Sequence, residues 1–275
     1  MSFVNVIVPC YNQGQYLAEA VDSVLAQTCG RIFNIFIIDD FSTDNTPEVI
    51  ESLKEKANEK GIDLQTERTW ENIGSSAARK MGMAWARNRG DYILFLDADD
   101  KIQPDFIQKT VDFLDSEEGA NYAFAYTWTR TFGAREELWP SPEYNFFELV
   151  QRNYIPYCSM LRRSVYFQVG GHDSFNRNYW EDYELWIELG SYGFYGKLIP
   201  EFLFNYRISE ESLAHGKRAQ LMSPVYKSYI VNRRPEVFPP QWKEQARLIL
   251  SEYPDNIMEM TPAQQEEVLK QKGLM

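Results

Sequence analysis

The sequence predicts an α/β protein, a mostly parallel sheet with helices on both faces, followed by a helical C-terminal tail. Three observations carry this reading. Strand and helix signals alternate over the first hundred residues. The strand signals are continuous apolar runs, which suit a sheet covered on both faces rather than a half-exposed one. The 275 residues are 44% hydrophobic and 25% charged, a balance that supports a packed core and excludes a disordered chain.

The elements follow in order. Residues 3–8 form an apolar run closed by Pro9 and read as a buried strand. Residues 14–27 carry Leu17, Val21, Val24 and Leu25 at helical spacing, and residues 32–38 give a second buried strand. Thr46 caps a helix with Pro47 at its first position, and Gly61 ends it. Residues 62–67 are a weaker strand. Ser75 opens a helix with Ala77, Ala78, Met81, Ala84 and Trp85 expected on its inner face, and residues 92–96 form another buried strand. Beyond residue 100 the pattern loosens. A helix is expected over 104–114, an aromatic-rich strand over 122–129, a short helix over 145–152 and a short strand over 158–161. An amphipathic helix over 180–189 precedes two late strands, 194–199 and 202–206. From Ser212 the chain is polar and helical, broken at Pro239-Pro240 and Pro254.

Composition excludes several functions. Lys plus Arg total 28 and Asp plus Glu 40, a net charge of −12. Nucleic acid needs a basic face, and adsorption of the whole surface to anionic lipid needs the same; a local basic patch for peripheral membrane contact stays open. Three widely spaced cysteines (Cys10, Cys29, Cys158) form no CxxC pair, and two histidines cannot build a His-rich metal site. The first 30 residues lack the charge and apolar run of a signal peptide, and no apolar run reaches the roughly 18 residues of a membrane span. The expectation is a soluble cytoplasmic protein.

In an open α/β sheet, ligands bind beyond the carboxyl ends of the strands. Three such ends carry polar clusters: Pro9-Cys10-Tyr11-Asn12, Asp39-Asp40-Phe41-Ser42 and Asp97-Ala98-Asp99-Asp100. Each alone is an ordinary turn composition; three together at one sheet edge point to a site. If the strand continues, alternation puts Asp97 and Asp99 on one side and Ala98 on the other. Two such carboxylates repel unless a cation is near. Hard oxygen donors without Cys or His suit Mg²⁺ or Mn²⁺, which bind through one or two carboxylates plus substrate phosphates.

Five segments, VIVPCYNQGQYLAEAVDSVLAQT, IIDDFSTDNT, NIGSSAARK, DYILFLDADD and GGHDSFNRNYWEDYELW, occur in this order. Together they resemble a family 2 glycosyltransferase of the Rossmann-like GT-A fold, over residues 3–210. The resemblance implies a GT-A domain over 1–211, with a nucleotide-binding half (1–100) and an acceptor-binding half (101–211), and a helical extension over 212–275. It puts Pro9 and Tyr11 near the nucleotide base, with Tyr11 able to stack on uracil, and Asp40 accepting the uracil imide N–H. Asp39 has a structural role. Asn72, Gly74 and Arg79 match a segment that helps hold nucleotide or phosphate. Asp97 contacts the ribose, Asp99 the divalent metal (Mn²⁺ or Mg²⁺), and Asp100 stands behind them. Asp182 is the candidate base, with Glu181 the runner-up, and the helix N-terminus keeps such a carboxylate deprotonated. Arg207 is expected to reach the diphosphate, and His215 to lie near the pyrophosphate or metal although its spacing departs from the family pattern. His172 stands where the family has an aromatic and receives no role. Trp128, Tyr157, Trp180 and Trp186 are candidates for a sugar platform on the acceptor side, Trp180 and Tyr157 being kept as acceptor-binding residues. Glu184 and Glu188 read as a solvated helix face.

The expected activity is inverting transfer of a single sugar from a nucleotide diphosphate donor, in the first place a UDP-sugar. The acceptor would be a free or lipid-linked saccharide in surface polysaccharide assembly, at the inner face of the membrane. No QxxRW segment of processive synthases is present. A second copy of the chain is a candidate partner. Two alternatives remain: a nucleotidyltransferase, disfavoured because the first loop has one Gly and no Lys or Arg, and an inactive nucleotide-sugar-binding protein.

Overall fold

The computed structural model of the chain describes residues 3–28, 30, 32–172, 180–209 and 216–275. Strands and helices alternate as β1 (Phe3–Cys10), α1 (Gly14–Leu25), β2 (Ile32–Asp39), α2 (Thr46–Glu59), β3 (Asp63–Arg68), α3 (Ser75–Trp85) and β4 (Tyr92–Phe95). Strands β3, β2, β1 and β4 lie side by side in that order, all parallel. Successive side chains of a strand point to opposite faces. Val4, Val6, Val8, Ile35 and Ile37 therefore pack with Leu17, Val21 and Leu53 on one face. Ile7, Phe36 and Ile93 pack with Met83 and Ala86 on the other. Both faces are covered, which is why these strands are apolar throughout.

The second half adds β5 (Lys101–Ile102), α4 (Phe106–Asp115), β6 (Phe124–Gly133), β7 (Leu138–Trp139), α5 (Phe146–Gln151), β8 (Met160–Arg162), α6 (Arg163–Gln168), α7 (Glu181–Ser191) and β9 (Gly196–Ile208). Strand β8 runs antiparallel to β4 and to β6, and β6 runs parallel to β9. The sheet order is β3-β2-β1-β4-β8-β6-β9-β5, with β7 on β6, so a parallel half continues into a mixed half. The two late strands expected from sequence are one. Strand β9 passes through Pro200 and Glu201, and its register on β6 slips on either side of Trp128. A bulge of this kind accommodates a residue without a ladder N–H.

Helix α3 turns a different face inward from the one its apolar residues suggest. Ser76, Ala78, Arg79, Gly82 and Met83 are buried, whereas Ala84 and Trp85 are exposed. Gly82 explains the choice: a Cβ there would lie 2.6 Å from Ile7 Cγ2, so glycine lets the helix sit close on β1. Arg79, one turn earlier, is carried inward with it.

The tail forms α8 (Lys217–Arg233), α9 (Pro240–Ser251) and α10 (Pro262–Gln271). These helices share an apolar cluster that includes Met222, Val225, Tyr226, Ile257, Met258 and Leu269, while Ile230 and Val231 join the core beneath the sheet. Arg233 pairs with Glu184 at 2.9 Å, and Arg234 pairs with Glu188. Glu184 and Glu188 are thus not a solvated face; the tail covers them and they tie α8 to α7. Among the described residues, no helix is long and apolar enough to cross a membrane.

Candidate active site

The carboxyl ends of β1, β2 and β4 open into one cleft of about 890 Å³. The loops after β1 and β2 are stitched together. The Asn12 N–H donates to Ser42 Oγ at 2.9 Å, and Asn12 Oδ1 accepts from the Thr43 N–H at 2.7 Å. Asn12 (φ 52°), Phe41 (φ 67°) and Trp180 (φ 57°) are the non-glycine residues with left-handed backbone among those described. Each such conformation costs about 1–3 kcal/mol and persists only where its surroundings enforce it. Pro9, half-exposed Tyr11 and Asn72 line this end of the cleft.

Asp40 has a different task from the one read in sequence. One of its oxygens accepts from the Ile73 N–H at 2.8 Å and from Thr69 Oγ1 at 3.1 Å. The other accepts from the Gly74 N–H at 2.8 Å. Only 3% exposed, the carboxylate organises the loop that enters α3, where Gly74 takes φ +88°. Two backbone N–H groups and the Thr69 hydroxyl thus hold it in place at the edge of the cleft. Asp39 behaves similarly: Oδ1 accepts from the Ser42 N–H at 2.9 Å.

At the end of β4 three carboxylates crowd together. Asp97 is ion-paired with Arg79, and Arg79 Nη1 reaches Glu181 Oε1 at 2.7 Å. Ser75 Oγ donates to the same Glu181 oxygen at 2.8 Å. Burial works against the charge of Arg79, but Asp97, Tyr157 and Glu181 hold its pKa above the usual arginine value. Arg79 therefore bridges β4 to α7 across the cleft floor. Burial, then the charge of Asp97, pushes the Asp99 carboxyl up to about 6. Burial and Asp99 raise Asp100 well above the usual range. Among the described residues no side chain donates a hydrogen bond to the Asp99 carboxylate, which lines the cleft.

This arrangement fits a divalent cation. The donors are hard oxygens, and their mutual repulsion is what a cation would relieve. No group of three or more His, Cys, Asp or Glu is arranged to hold a metal among the described residues. A cation here would draw its remaining ligands from a diphosphate and water, as Mg²⁺ typically does.

Arg207 is not among the residues that line the cleft. Its backbone N–H donates to Asp100 Oδ1 at 2.8 Å and its Nε to the Asp99 carbonyl oxygen at 2.8 Å. Its guanidinium pairs with Glu19 and lies 4.4 Å from the Tyr16 ring centroid and 4.3 Å from that of Phe132. It braces the acidic loop from behind. His215 lies outside the described residues.

The opposite wall comes from α7, the segment before β8, and the tail. Asp182 Oδ1 accepts from the Tyr183 N–H at 2.7 Å, and Oδ2 from Asn153 Nδ2 at 2.8 Å. Burial, then Glu181, pushes the Asp182 carboxyl up to about 7. The helix N-terminus was expected to keep this group strongly acidic; desolvation wins. Trp180 lines the cleft beside it. Tyr157 also lines it, but Arg79 Cζ lies 4.0 Å from its ring centroid, and Phe95 stacks on it at 5.7 Å. A face expected for a sugar is thus taken by the arginine. Trp186 is core, stacked on Phe124 at 4.8 Å. Trp128 donates to the Ser141 carbonyl and packs on Phe202, away from the cleft lining. Sequence reading missed Asn153, Ser75, Ala219 and Ser223, all on the cleft wall; uncharged residues far apart in the chain give no spacing signal.

Comparison with known proteins gives the family and the fold. The model of glycosyl transferase family 2 matches residues 5–181. A putative teichuronic acid biosynthesis glycosyltransferase of Bacillus subtilis, TuaG, is 30% identical over 218 residues, 78% of this chain and 82% of that protein. The minor teichoic acid biosynthesis protein GgaA of B. subtilis is 37% identical over 123 residues, 43% of this chain; the match spans only 26% of GgaA. Among solved structures, Staphylococcus aureus TarS (residues 1–349) with UDP-GlcNAc superposes with a TM-score of 0.65 at 18% identity, covering 98% of this chain and 71% of that one. The mannosyltransferase PcManGT of Pyrobaculum calidifontis with GDP-Man and Mn²⁺ gives 0.65 at 16%, covering 98% and 74%. The fold is that of GT-A glycosyltransferases, and the chain belongs to glycosyl transferase family 2.

Proposed function

We propose that this glycosyltransferase transfers one sugar, with inversion, from a UDP-sugar to a hydroxyl of a saccharide or lipid-linked saccharide in bacterial surface-polymer assembly, on the cytoplasmic side. Residues 1–211 are taken as the catalytic unit and 212–275 as its helical extension. One observation carries the reading. A carboxyl at the start of α7, Asp182, shares one cleft with the Asp97–Asp99 pair. The nucleotide would lie over the strand ends, its base between Pro9, Tyr11 and Asn72 and its ribose at Asp97. A uracil base is the reading of Tyr11 taken from the sequence; TarS is solved with UDP-GlcNAc and PcManGT with GDP-Man, and surface-polymer assembly is supported by the named role of TuaG.

In the reaction an acceptor hydroxyl attacks the anomeric carbon as the bond to the diphosphate oxygen breaks on the opposite face. Asp182 takes the hydroxyl proton. A base whose pKa lies near the working pH combines an ionised population with useful basicity. Asn153 and the Tyr183 N–H hold the carboxylate in place, and each of its oxygens keeps a lone pair free for the proton. Glu181, committed to Arg79 and Ser75, serves as an anchor. Asp99, with Asp97 beside it, would hold Mn²⁺ or Mg²⁺, which when bound neutralises charge on the diphosphate leaving group. Arg207 keeps the acidic loop in shape.

The test is UDP release from a panel of UDP-sugars with saccharide acceptors and Mn²⁺. Asp182→Asn should abolish transfer yet keep the thermal shift given by UDP. Transfer at the wild-type rate by Asp182→Asn would overturn the assignment of the base. Stabilisation by GDP but not UDP would overturn the donor.

A further inference from the structure

His172 is buried beneath Tyr157, among aromatic rings. The Tyr166 hydroxyl lies 3.0 Å from its Nδ1 and accepts the His172 backbone N–H at 3.2 Å. The Tyr157 hydroxyl lies 2.8 Å from its Nε2. Phe95 meets the imidazole edge-on, centroids 5.0 Å apart.

Tyr166 is 2% exposed, so its O–H needs an acceptor inside the protein. Among the described residues Nδ1 is the acceptor within its reach, and Nε2 is the one within reach of the Tyr157 O–H. A neutral ring accepts from one of these hydroxyls and donates its own N–H to the other tyrosine oxygen. Burial, reinforced by the charge of Arg79, keeps the imidazole pKa well below its ordinary value, so the ring carries this single proton.

Tyr157 in turn carries Arg79 on its face. The two Nη atoms of Arg79 are spent on Asp97 and Glu181, while Nε is buried without a partner. In-plane position is therefore fixed by the carboxylates, and height above the cleft floor by the tyrosine ring. A ring that tilted would move the guanidinium, and with it one carboxylate on each side of the cleft. We propose that His172 is a positioning residue for the transfer reaction: it fixes the Tyr157 hydroxyl, and so the ring on which Arg79 holds Asp97 and Glu181 at their spacing across the cleft. This inference rests on the transfer reading given above.

Two measurements test it, one of them independent of activity. The chain has two histidines, so ¹⁵N-histidine labelling gives two imidazoles, and His172→Gln identifies the one that matters. The expected result is a solvent-protected ring N–H at neutral pH that shifts in Tyr157→Phe and in Arg79→Lys. In turnover, His172→Phe keeps a ring against Phe95 but removes both hydrogen bonds. Its kcat should fall about tenfold with the donor KM unchanged within about twofold. His172→Gln, whose amide reaches the Nε2 position, should recover most of the loss. Tyr157→Phe should lose as much as His172→Phe, and the double variant no more than either alone. Wild-type kcat in His172→Phe, losses that multiply in the double variant, or a His172 ring N–H indifferent to Tyr157→Phe would each overturn the proposal. If His172→Phe fails to fold, Tyr157→Phe carries the kinetic test by itself, and wild-type kcat in it overturns the proposal. If the wild type turns over no UDP-sugar, the transfer reading falls, and the imidazole signal still decides whether His172 is coupled to Arg79.

Discussion

Replacing Asn153 with alanine should move the working pH of this enzyme upward. Asn153 Nδ2 donates to Asp182 Oδ2 at 2.8 Å, and a hydrogen bond to a carboxylate favours its charged form. Deleting the donor therefore raises the Asp182 pKa, which already stands at about 7. Such bonds contribute about 1.5–3 kcal/mol. Asn153 is exposed, so water replaces part of the bond and the low end applies. At 1.36 kcal/mol per pKa unit the shift is about one unit. With one unit added, the ionised share at pH 7 drops from about half to about a tenth, so kcat/KM at pH 7 should fall about fivefold. At pH 9 the two enzymes should agree within about a tenth. The assay is UDP release across pH 5.5–9.5, with the rising limb fitted for each protein. A limb that stayed in place or moved down would remove Asp182 from the role of base. An equal loss at pH 7 and pH 9 would instead assign Asn153 to acceptor binding.

Four further outcomes are expected. Because the folded-state pKa of Asp182 lies above its ordinary 3.8, the protonated form is the one the fold favours. That stabilisation is complete below about pH 4 and is lost as pH rises through 7. Asp182→Asn, neutral throughout, should therefore raise Tm at pH 8 by a few degrees and change it little at pH 4, as read by calorimetry. Asp99→Ala should abolish Mn²⁺-dependent turnover, and near-normal rates would end the metal assignment. Arg207→Ala, by loosening the loop that carries Asp99 and Asp100, should raise the Mn²⁺ concentration for half-maximal rate by roughly 10–100-fold. Gly82→Ala, whose new methyl meets Ile7 at 2.6 Å, should cost about 1–3 kcal/mol in denaturant unfolding.

The parallel half of the sheet was legible because β1, β2 and β4 are apolar on both faces, a pattern that needs no knowledge of partners. Helix α3 misled for the opposite reason. Its inward face carries Arg79 and Gly82, one chosen for charge and one for closeness, so the more apolar face (Met81, Ala84, Trp85) was wrongly turned inward. Helix α6 was missed because Arg163-Ser164-Val165 continues directly from β8 without a breaker. At the site, residue type was readable and orientation was not. Asp40 and Arg207 have the chemistry expected of base and diphosphate ligands, yet Asp40 accepts from the Ile73 and Gly74 N–H groups, and Arg207 donates from its backbone to the Asp100 carboxylate and from Nε to the Asp99 carbonyl. Glu184 and Glu188 were taken for solvated because nothing local to α7 announces the arginines of α8.

The family match ends at residue 181, yet Ala219 and Ser223 of α8 stand on the cleft wall opposite the nucleotide end. Two stretches of chain thus shape one cavity, and they can be altered separately. Enlarging Ala219 or Ser223 narrows the space facing Asp182 without touching Pro9, Tyr11, Asn72 or Asp99. For an engineer this makes the tail an adjustable wall. Such a change is best confined to these two positions, because Arg233, Arg234, Ile230 and Val231 tie the same helix to α7 and to the core.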